Sequence, residues 1–128
     1  MPARPAPEES QLDAPEEPMN ADRAVLQVPA AEVPADAFVL DVREADEWEA
    51  GHVPGALHIP LGELGARYLE IDRSGAVYVI CRSGNRSDHA ARALAGAGWR
   101  AHNVADGMIG WQAAGRPMTS GSGQPYVA

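Results

Sequence analysis

The chain has 128 residues, which is enough for one domain with a single hydrophobic core and terminal extensions. Its formal net charge of -8 disfavours nucleic acid and anionic membrane surfaces as partners, and no apolar run is long enough to cross a bilayer. The single cysteine cannot form an internal disulfide and the N-terminus carries no secretory signal pattern, so a cytoplasmic location is expected. The absence of lysine among many Ala, Gly and Pro residues suggests a GC-rich bacterial coding bias.

The first half of the chain begins with an acidic, proline-rich stretch and then becomes apolar. Residues 1–22 are expected to be a disordered tail that is solvated, with an acidic docking tail as the alternative. Residues 24–28 are a short strand candidate. The run 38–42 is apolar almost throughout, as expected for a strand buried on both faces of a parallel sheet. Residues 44–50 predict a short helix that ends at Gly51.

The second half alternates between strand and helix patterns. Residues 57–59 are a very short extended segment, and 61–71 have leucines on one helical face, although two glycines weaken this helix. Residues 76–80 predict a strand, 85–97 an alanine-rich helix and 99–104 a further strand. A last short helix is expected over 106–114, followed by a flexible Gly/Ser tail over 119–128, so the folded domain spans residues 23–118.

This alternation of strands and helices predicts an α/β domain with a parallel sheet covered on both faces. In such sheets ligands bind beyond the carboxyl ends of the strands. Asp41 and Cys81 fall at the carboxyl ends of two of the predicted strands, so the sequence predicts a functional site where those two strands end.

The segment after the strand 76–80 has the composition of an anion-binding loop that leads into a helix. It consists of Cys81, Arg82, Ser83, Gly84, Asn85, Arg86 and Ser87. A cysteine is nucleophilic as the thiolate, and the helix start, the two arginines and inward-pointing main-chain N–H groups would all stabilise a thiolate or a persulfide anion. The alternative is a buried, inert cysteine at the end of a strand.

Four motifs, in order, resemble the rhodanese (thiosulfate sulfurtransferase) family. The first two are Leu40-Asp41-Val42-Arg43-Glu44 with Glu47-Trp48, and Gly51-His52-Val53-Pro54-Gly55-Ala56 with Ile59-Pro60, where Val53 replaces the usual Ile. The third is the loop 81–87, which resembles the active-site loop of single-domain members. The fourth is Asp106-Gly107-Met108 through Trp111, where Met108 stands in place of a second glycine.

The resemblance implies a rhodanese-like fold, a five-stranded parallel sheet flanked by helices, and Cys81 as the sulfur acceptor. Thiosulfate or a similar small molecule would be the sulfur donor. Cyanide, a thiol or a protein would be the acceptor, and no cofactor, nucleic acid or membrane is implied. Arg82 and Arg86 would attract the anionic donor, and the N–H groups of the loop would hold the persulfide.

The supporting residues implied by the resemblance are Asp41, Arg43 and His52. Arg43 is expected to pair with an acidic residue such as Glu47, Asp41 to order the end of its strand, and His52 to stabilise its turn by hydrogen bonding. A direct part in catalysis is the alternative for all three. The remaining histidines, at positions 58, 89 and 102, show no metal-ligand spacing, so no metal site is expected.

Two other functions remain open at this point. One is a carrier or partner-binding module that relays sulfur with little turnover of small molecules. The other is a cysteine-dependent phosphatase or arsenate reductase, because related folds use a Cys-x5-Arg loop. The loop here is Cys-x4-Arg, one residue shorter, and a smaller ring suits a single sulfur atom better than a tetrahedral oxyanion.

Overall fold

The sheet has five strands, and every pairing in it is parallel. A computed structural model describes residues 25–121 and 123–128, so the predicted tail over 1–22 lies outside the described residues. The strands are β1 (Gln27–Val28), β2 (Phe38–Asp41), β3 (Leu57–His58), β4 (Ala76–Ile80) and β5 (Arg100–Val104). Their order across the sheet is β1-β5-β4-β2-β3. The expected five-stranded parallel sheet is confirmed.

Four α-helices flank this sheet in the described part of the chain. They are α1 (Ala45–Ala50), α2 (Leu64–Arg67), α3 (Asn85–Gly96) and α4 (Gly107–Ala113), with 3-10 turns at Ala30–Glu32, Leu61–Glu63 and Tyr68–Glu70. None of the helices seen over residues 25–121 and 123–128 is long and apolar enough to cross a membrane.

Two predicted elements are shorter or more broken than expected. The helix expected over 61–71 is a 3-10 turn, one α-helical turn and a second 3-10 turn. Gly62 and Gly65 lower the helix propensity of this segment. Of the strand expected over 24–28, the described residues 25–28 form a strand at Gln27–Val28, and Pro29 follows it directly.

The core lies on both faces of the central strands. On β2, Leu40 packs in the cluster with Val77 and Val79, while Val39 packs in the opposite cluster with Ile80. These side chains are nearly or fully buried. The apolar run 38–42 therefore has the two-sided burial that its sequence predicts.

The carboxyl ends of β2 and β4 lie side by side. Asp41 is in register with Ile80, and the Val42 N–H donates to the Ile80 carbonyl at 3.1 Å. Cys81 therefore begins its loop directly beside the end of β2. This register brings the two predicted strand-end residues to one edge of the sheet.

The C-terminal segment differs from the expected flexible tail. Thr119 exchanges two main-chain hydrogen bonds with His52, at 2.8 and 2.9 Å, and the Tyr126 N–H donates to the Ala50 carbonyl at 3.0 Å. A Cβ at Gly51 would lie 2.5 Å from the Tyr126 carbonyl oxygen, so glycine permits this close approach. We call residues 119–121 and 123–128 the C-terminal strap, and it begins beyond the predicted domain boundary at residue 118.

Candidate active site

The sulfur of Cys81 lies among hydrogen-bond donors from the start of α3. The main-chain N–H of Gly84 lies 3.2 Å from Sγ, the N–H of Ser87 lies 3.3 Å from it, and the Ser87 hydroxyl lies 3.2 Å from it. Cys81 is 1 % exposed, so these hydrogen bonds are almost completely shielded from solvent. Donors gathered around one buried sulfur favour a negative charge on it.

The pKa of the Cys81 thiol reflects two opposing effects. Burial acts to raise this pKa, because desolvation disfavours the thiolate. Hydrogen bonds from the Ser87 hydroxyl and from the main-chain N–H groups of Ser87, Gly84 and Ser83 act to lower it. The hydrogen bonds have the larger effect, so the pKa of the thiol lies below its ordinary value. At a given pH a larger fraction of Cys81 is therefore thiolate than in a free cysteine.

Two glycines, one in the loop and one at the start of α4, allow the loop and this helix to pack closely. Gly84 precedes α3 with φ +103°, and Gly107 begins α4 with φ +59°, both in the left-handed region that favours glycine. A Cβ at Gly107 would lie 2.5 Å from the Arg82 carbonyl oxygen and 2.6 Å from that of Cys81. The main chain of α4 therefore packs directly against the loop.

The replacement of a family glycine by Met108 has no cost for this packing. The Met108 N–H donates to the Cys81 carbonyl at 2.8 Å, a bond that any residue except proline can make. Its side chain is fully buried in the core cluster that contains Trp111. The next N–H, that of Ile109, donates to the Arg82 carbonyl at 3.1 Å. Helix α4 thus fixes the first two residues of the loop.

Arg86 is held by a carboxylate on the first turn of α1. Its Nη1 and Nη2 donate to Oε1 and Oε2 of Glu47 at 2.8 and 2.9 Å, a two-pronged ion pair. Glu47 also accepts from the Glu44 N–H at 2.9 Å, as part of the capping box of α1. The expectation that Glu47 would pair with Arg43 is therefore wrong. The charge of Arg86 still acts on Cys81, since the two attract each other electrostatically.

This ion pair makes the protein sensitive to acid, and the Glu47→Gln variant should show it. The hydrogen bond from Arg86 is the main reason that the pKa of Glu47 falls from 4.5 to about 2. A lowered pKa contributes stability above the unfolded-state value, and this contribution is lost as the pH falls from 4.5 towards about 2. We expect the wild type to lose about 2 kcal/mol from this group over that window, after allowance for solvent screening.

Urea unfolding at a series of pH values measures this effect. Glu47→Gln should be less stable than the wild type at neutral pH and should lose less stability on acidification. Glu70→Gln is the control, because the Glu70 carboxylate also binds an arginine, Arg67, but lies in solvent, and its acid profile should follow the wild type. Equal slopes for Glu47→Gln and the wild type below pH 4.5 would contradict the prediction.

The remaining loop residues lie at the outer rim. Arg82, Ser83 and Asn85 are exposed. The Arg82 Nε donates to the main-chain oxygen of Ala128 at 3.0 Å, so the C-terminal strap reaches the loop. Arg82 is thus the loop arginine that faces solvent, whereas Arg86 is engaged deeper in the site.

Asp41 and Arg43 form a fully buried ion pair at the end of β2. The Arg43 Nη2 lies 2.8 Å from Asp41 Oδ2 and 2.7 Å from the Gly51 carbonyl, and Nε also donates to the same carboxylate. Both side chains have no exposed surface. The Asp41 carboxylate additionally accepts from the Arg43 main-chain N–H at 3.0 Å. The pair joins the end of β2 to the turn that follows α1.

His52 stabilises that turn through its ring and its main chain. Its Nδ1 donates to the Trp48 carbonyl at 2.7 Å, and its ring stacks on the Trp48 indole with 3.5 Å between centroids. His58 also stacks on Trp48, at 4.7 Å, and its Nε2 donates to the Arg43 carbonyl at 2.8 Å. His52 therefore holds the last turn of α1, and His58 holds the main chain just before this helix begins.

Asn103 is a buried polar residue of the site that the sequence analysis missed. It lies on β5, is 2 % exposed, and its Oδ1 accepts from the Ser87 hydroxyl at 2.6 Å. Its Nδ2 donates to the Gly84 carbonyl and to the Gln27 side chain. The available signal was an asparagine near the carboxyl end of a strand whose neighbours are buried, because such an amide needs polar partners.

The site as a whole is a buried cysteine sulfur surrounded by hydrogen-bond donors, with two arginines in the same loop. Of the predicted site residues, Gly84 and Ser87 contact the Cys81 sulfur, and the Ser83 main-chain N–H also donates to it. Arg86 acts on Cys81 through its charge, and the side chains of Arg82, Ser83 and Asn85 are exposed at the rim. Over residues 25–121 and 123–128, no three His, Cys, Asp or Glu side chains gather closely enough to hold a metal ion. This arrangement suits attack by a thiolate on an electrophilic atom and storage of the resulting anion.

Comparisons with known proteins identify the domain family and find the same fold in solved structures. The family model described as Rhodanese-like domain matches residues 23–114. The putative sulfurtransferase YtwF of Bacillus subtilis is 33% identical over 86 residues, which cover 67% of this chain and 84% of that protein. The crystal structure of a rhodanese-related protein from Thermoplasma volcanium aligns with a TM-score of 0.70 and 31% identity, over 73% of this chain and 97% of that one.

A longer relative shares only part of its length with this chain. The putative sulfur carrier protein YrkF of Bacillus subtilis is 46% identical over 74 residues, or 57% of this chain and 40% of that protein. The chain therefore matches less than half of that relative. The family match nevertheless covers the sheet, the cysteine loop and all four helices. The chain belongs to the rhodanese-like domain family.

Proposed function

We propose that this protein is a sulfurtransferase that carries sulfane sulfur on Cys81. The observation that carries the proposal is the set of donors from Gly84 and Ser87 around a buried sulfur. These donors lower the pKa of the thiol against the effect of burial, so no general base has to form the nucleophile.

The first half of the reaction loads the cysteine. The Cys81 thiolate attacks the outer sulfur of thiosulfate, a new S–S bond forms, and the old S–S bond breaks with its electron pair leaving on sulfite. Arg82 is exposed at the rim, where its guanidinium can attract an anionic donor. Arg86 contributes its positive charge beside the sulfur, while Glu47 fixes its orientation.

The second half unloads it. A cyanide ion or a thiolate attacks the outer sulfur of the Cys81 persulfide, and the Cys81 thiolate leaves, which gives thiocyanate or a new persulfide. A protein can serve as acceptor in the same way, and the printed name of YrkF, a putative sulfur carrier protein, favours that alternative. In this second reading the domain relays sulfur to a partner with little turnover of small molecules.

A phosphatase or arsenate reductase is less well supported by the geometry. Such an enzyme needs its loop arginine to bind the oxyanion with both prongs of the guanidinium. Here both terminal nitrogens of Arg86 bind the Glu47 carboxylate. The shorter Cys-x4-Arg loop points in the same direction.

The other predicted site residues have supporting roles in this proposal. Ser83 and Asn85 belong to the loop that surrounds the donor, and Asp41, Arg43 and His52 hold the main chain around it. The transfer as written needs no cofactor. A cytoplasmic location is part of the proposal, since a reducing compartment keeps a single nucleophilic cysteine available.

Intact-mass spectrometry after incubation with thiosulfate tests the proposal. The protein should gain the mass of one sulfur atom, and prior alkylation of Cys81 should prevent the gain. Addition of cyanide, glutathione or a dithiol should then remove the added mass and identify the preferred acceptor. Because the chain has one cysteine, the modified residue is unambiguous.

The outcomes separate the candidate functions. Uptake of sulfur followed by release to small acceptors supports the sulfurtransferase. Uptake with no release to any of them favours a carrier with a dedicated protein acceptor. Hydrolysis of an aryl phosphate without sulfur uptake would overturn the assignment.

A further inference from the structure

The orientation of the buried Asn103 amide is determined by its neighbours. Its nitrogen donates to the Gln27 Oε1 at 2.8 Å and to the Gly84 carbonyl at 3.1 Å. Both of these partners are acceptors, so only the amide nitrogen can face them. The Asn103 Oδ1 is consequently directed at the Ser87 hydroxyl, which lies 2.6 Å away.

The Ser87 hydroxyl has one proton and two acceptors within reach. Asn103 Oδ1 lies at 2.6 Å and Cys81 Sγ at 3.2 Å. When Cys81 is a thiol it carries its own proton, and Ser87 can donate to Asn103. A thiolate has no proton and gains most from every available donor. The two hydrogen bonds of Ser87 are therefore alternatives.

We propose that Asn103 is a positioning residue that competes with the Cys81 sulfur for the Ser87 hydroxyl proton. In the resting thiol the Ser87 O–H bond points at Asn103. When the thiol proton is lost to solvent water, the hydroxyl rotates to the sulfur, keeps its own proton, and leaves the Asn103 oxygen without its donor. The inference depends on the proposed function in one respect, namely that Cys81 is the reacting nucleophile.

This competition bears on which form of the cysteine the site favours. In a persulfide the negative charge lies on the outer sulfur, beyond the Cys81 Sγ. Ser87 can then return its proton to Asn103, and both buried oxygens are satisfied again. Asn103 thus destabilises the unloaded thiolate relative to the loaded persulfide, which shifts the equilibrium between these two forms towards the persulfide.

The Asn103 side-chain oxygen can be removed by substitution without leaving its other hydrogen-bond partners unsatisfied. The Gly84 carbonyl also accepts from the Asp88 N–H at 3.1 Å, so it keeps a partner without Asn103. Gln27 is exposed, and its Nε2 donates to the Asp88 carboxylate at 2.7 Å. Asn103→Leu is close in shape to the native side chain, so it chiefly deletes the competing acceptor.

Several charged groups lie on the loop and on the elements packed around it. They are Arg82 and Arg86 in the loop, Asp88 on α3, Glu47 on α1, Asp106 before α4, and the Asp41–Arg43 pair after β2. All of them are retained in every variant below. Differences between the variants therefore report on the Ser87 hydroxyl and its two acceptors.

The test is a pH titration of the Cys81 thiolate by its ultraviolet absorbance, with no sulfur donor present. Asn103→Leu should lower the titration midpoint by about half to one pH unit, because Ser87 then donates only to the sulfur. Ser87→Ala should raise it. In the Ser87→Ala background the Asn103→Leu change should have almost no effect, since there is no hydroxyl left to compete for.

Any of three results would overturn the proposal. These are an unchanged or raised midpoint in Asn103→Leu, an equal shift with and without Ser87, or a lowered midpoint in Ser87→Ala. Asn103→Val is the second variant, should leucine impair folding. In the wild type, the Asn103 carboxamide carbon resonance should titrate together with Cys81, and a resonance that stays constant would also contradict it.

These measurements are independent of sulfur transfer. If thiosulfate uptake fails while the titrations behave as expected, the proposed function is wrong and the proton competition stands. If uptake occurs but the Asn103→Leu midpoint does not fall, only the role of Asn103 is wrong.

Discussion

Replacing Cys81 by serine should remove sulfur uptake from thiosulfate, with a loss of at least about a thousand-fold in transfer rate. A serine hydroxyl stays protonated at neutral pH, and its oxygen is a far weaker nucleophile towards sulfur than a thiolate. The donors that surround the Cys81 sulfur stabilise an anion that serine does not form. Intact-mass spectrometry and a thiocyanate assay measure the two half-reactions.

The stability of the same variant is the necessary control. Cys81 makes no disulfide, and serine has nearly the same volume, so the free energy of unfolding should fall by only about 1–2 kcal/mol. A folded Cys81→Ser protein that still gained one sulfur atom would show that another residue accepts it. Wild-type protein alkylated at its single cysteine should, like the variant, gain no sulfur from thiosulfate.

Asp41→Asn should be among the most destabilising single substitutions in the domain, at about 3–5 kcal/mol. The Arg43 guanidinium has no exposed surface, and the Asp41 carboxylate is its only charged partner among the contacts described for it. Asparagine would leave a buried cation without its counter-charge, which costs far more than the hydrogen bond alone. Urea or thermal unfolding measures the loss.

Matched variants show whether burial of the charges causes the loss of stability in Asp41→Asn. Glu63→Gln removes one partner of Arg67, an exposed side chain, and should cost less than about 1 kcal/mol. The double variant Asp41→Leu with Arg43→Met removes both charges and should be more stable than Asp41→Asn. A cost below about 1 kcal/mol for Asp41→Asn would contradict the prediction.

The Asp41→Asn variant also tests whether Asp41 supports the fold or takes part in the reaction. We expect sulfur uptake per folded molecule to be largely retained in Asp41→Asn, because Asp41 binds Arg43 and main chain rather than the Cys81 sulfur. A folded variant that loses uptake would assign Asp41 a direct part in the reaction.

The order of strands and helices was readable from local patterns. The apolar run 76–80 followed by a polar loop with glycine predicted β4 and the start of α3, and the structure places β4 at Ala76–Ile80. Parallel strands end at one edge of the sheet, so Asp41 and Cys81 were expected near each other, and the register confirms it. These inferences depend on backbone geometry and burial, which repeat along the chain in a regular way.

Side-chain partners were not readable in the same way. The resemblance implied an acidic partner such as Glu47 for Arg43, yet Arg43 binds Asp41 and Glu47 binds Arg86, 39 positions away. Which pairing forms depends on the direction in which the loop arginine leaves α3 and on the face that α1 turns towards it. That choice is made only when helices and sheet pack together.

Long-range main-chain contacts are hidden for the same reason. The Gly/Ser-rich segment 119–128 resembles a flexible tail by composition, but it pairs with His52 and Ala50 because Gly51 leaves room for it. The polar partners of Asn103 come from β1, the loop and α3, which only the sheet order brings together. Local sequence patterns were sufficient for the scaffold and the position of Cys81. The groups that set the charge and protonation of this cysteine are defined by tertiary packing, since electrostatic and hydrogen-bond energies depend on distances between elements that are remote in the chain.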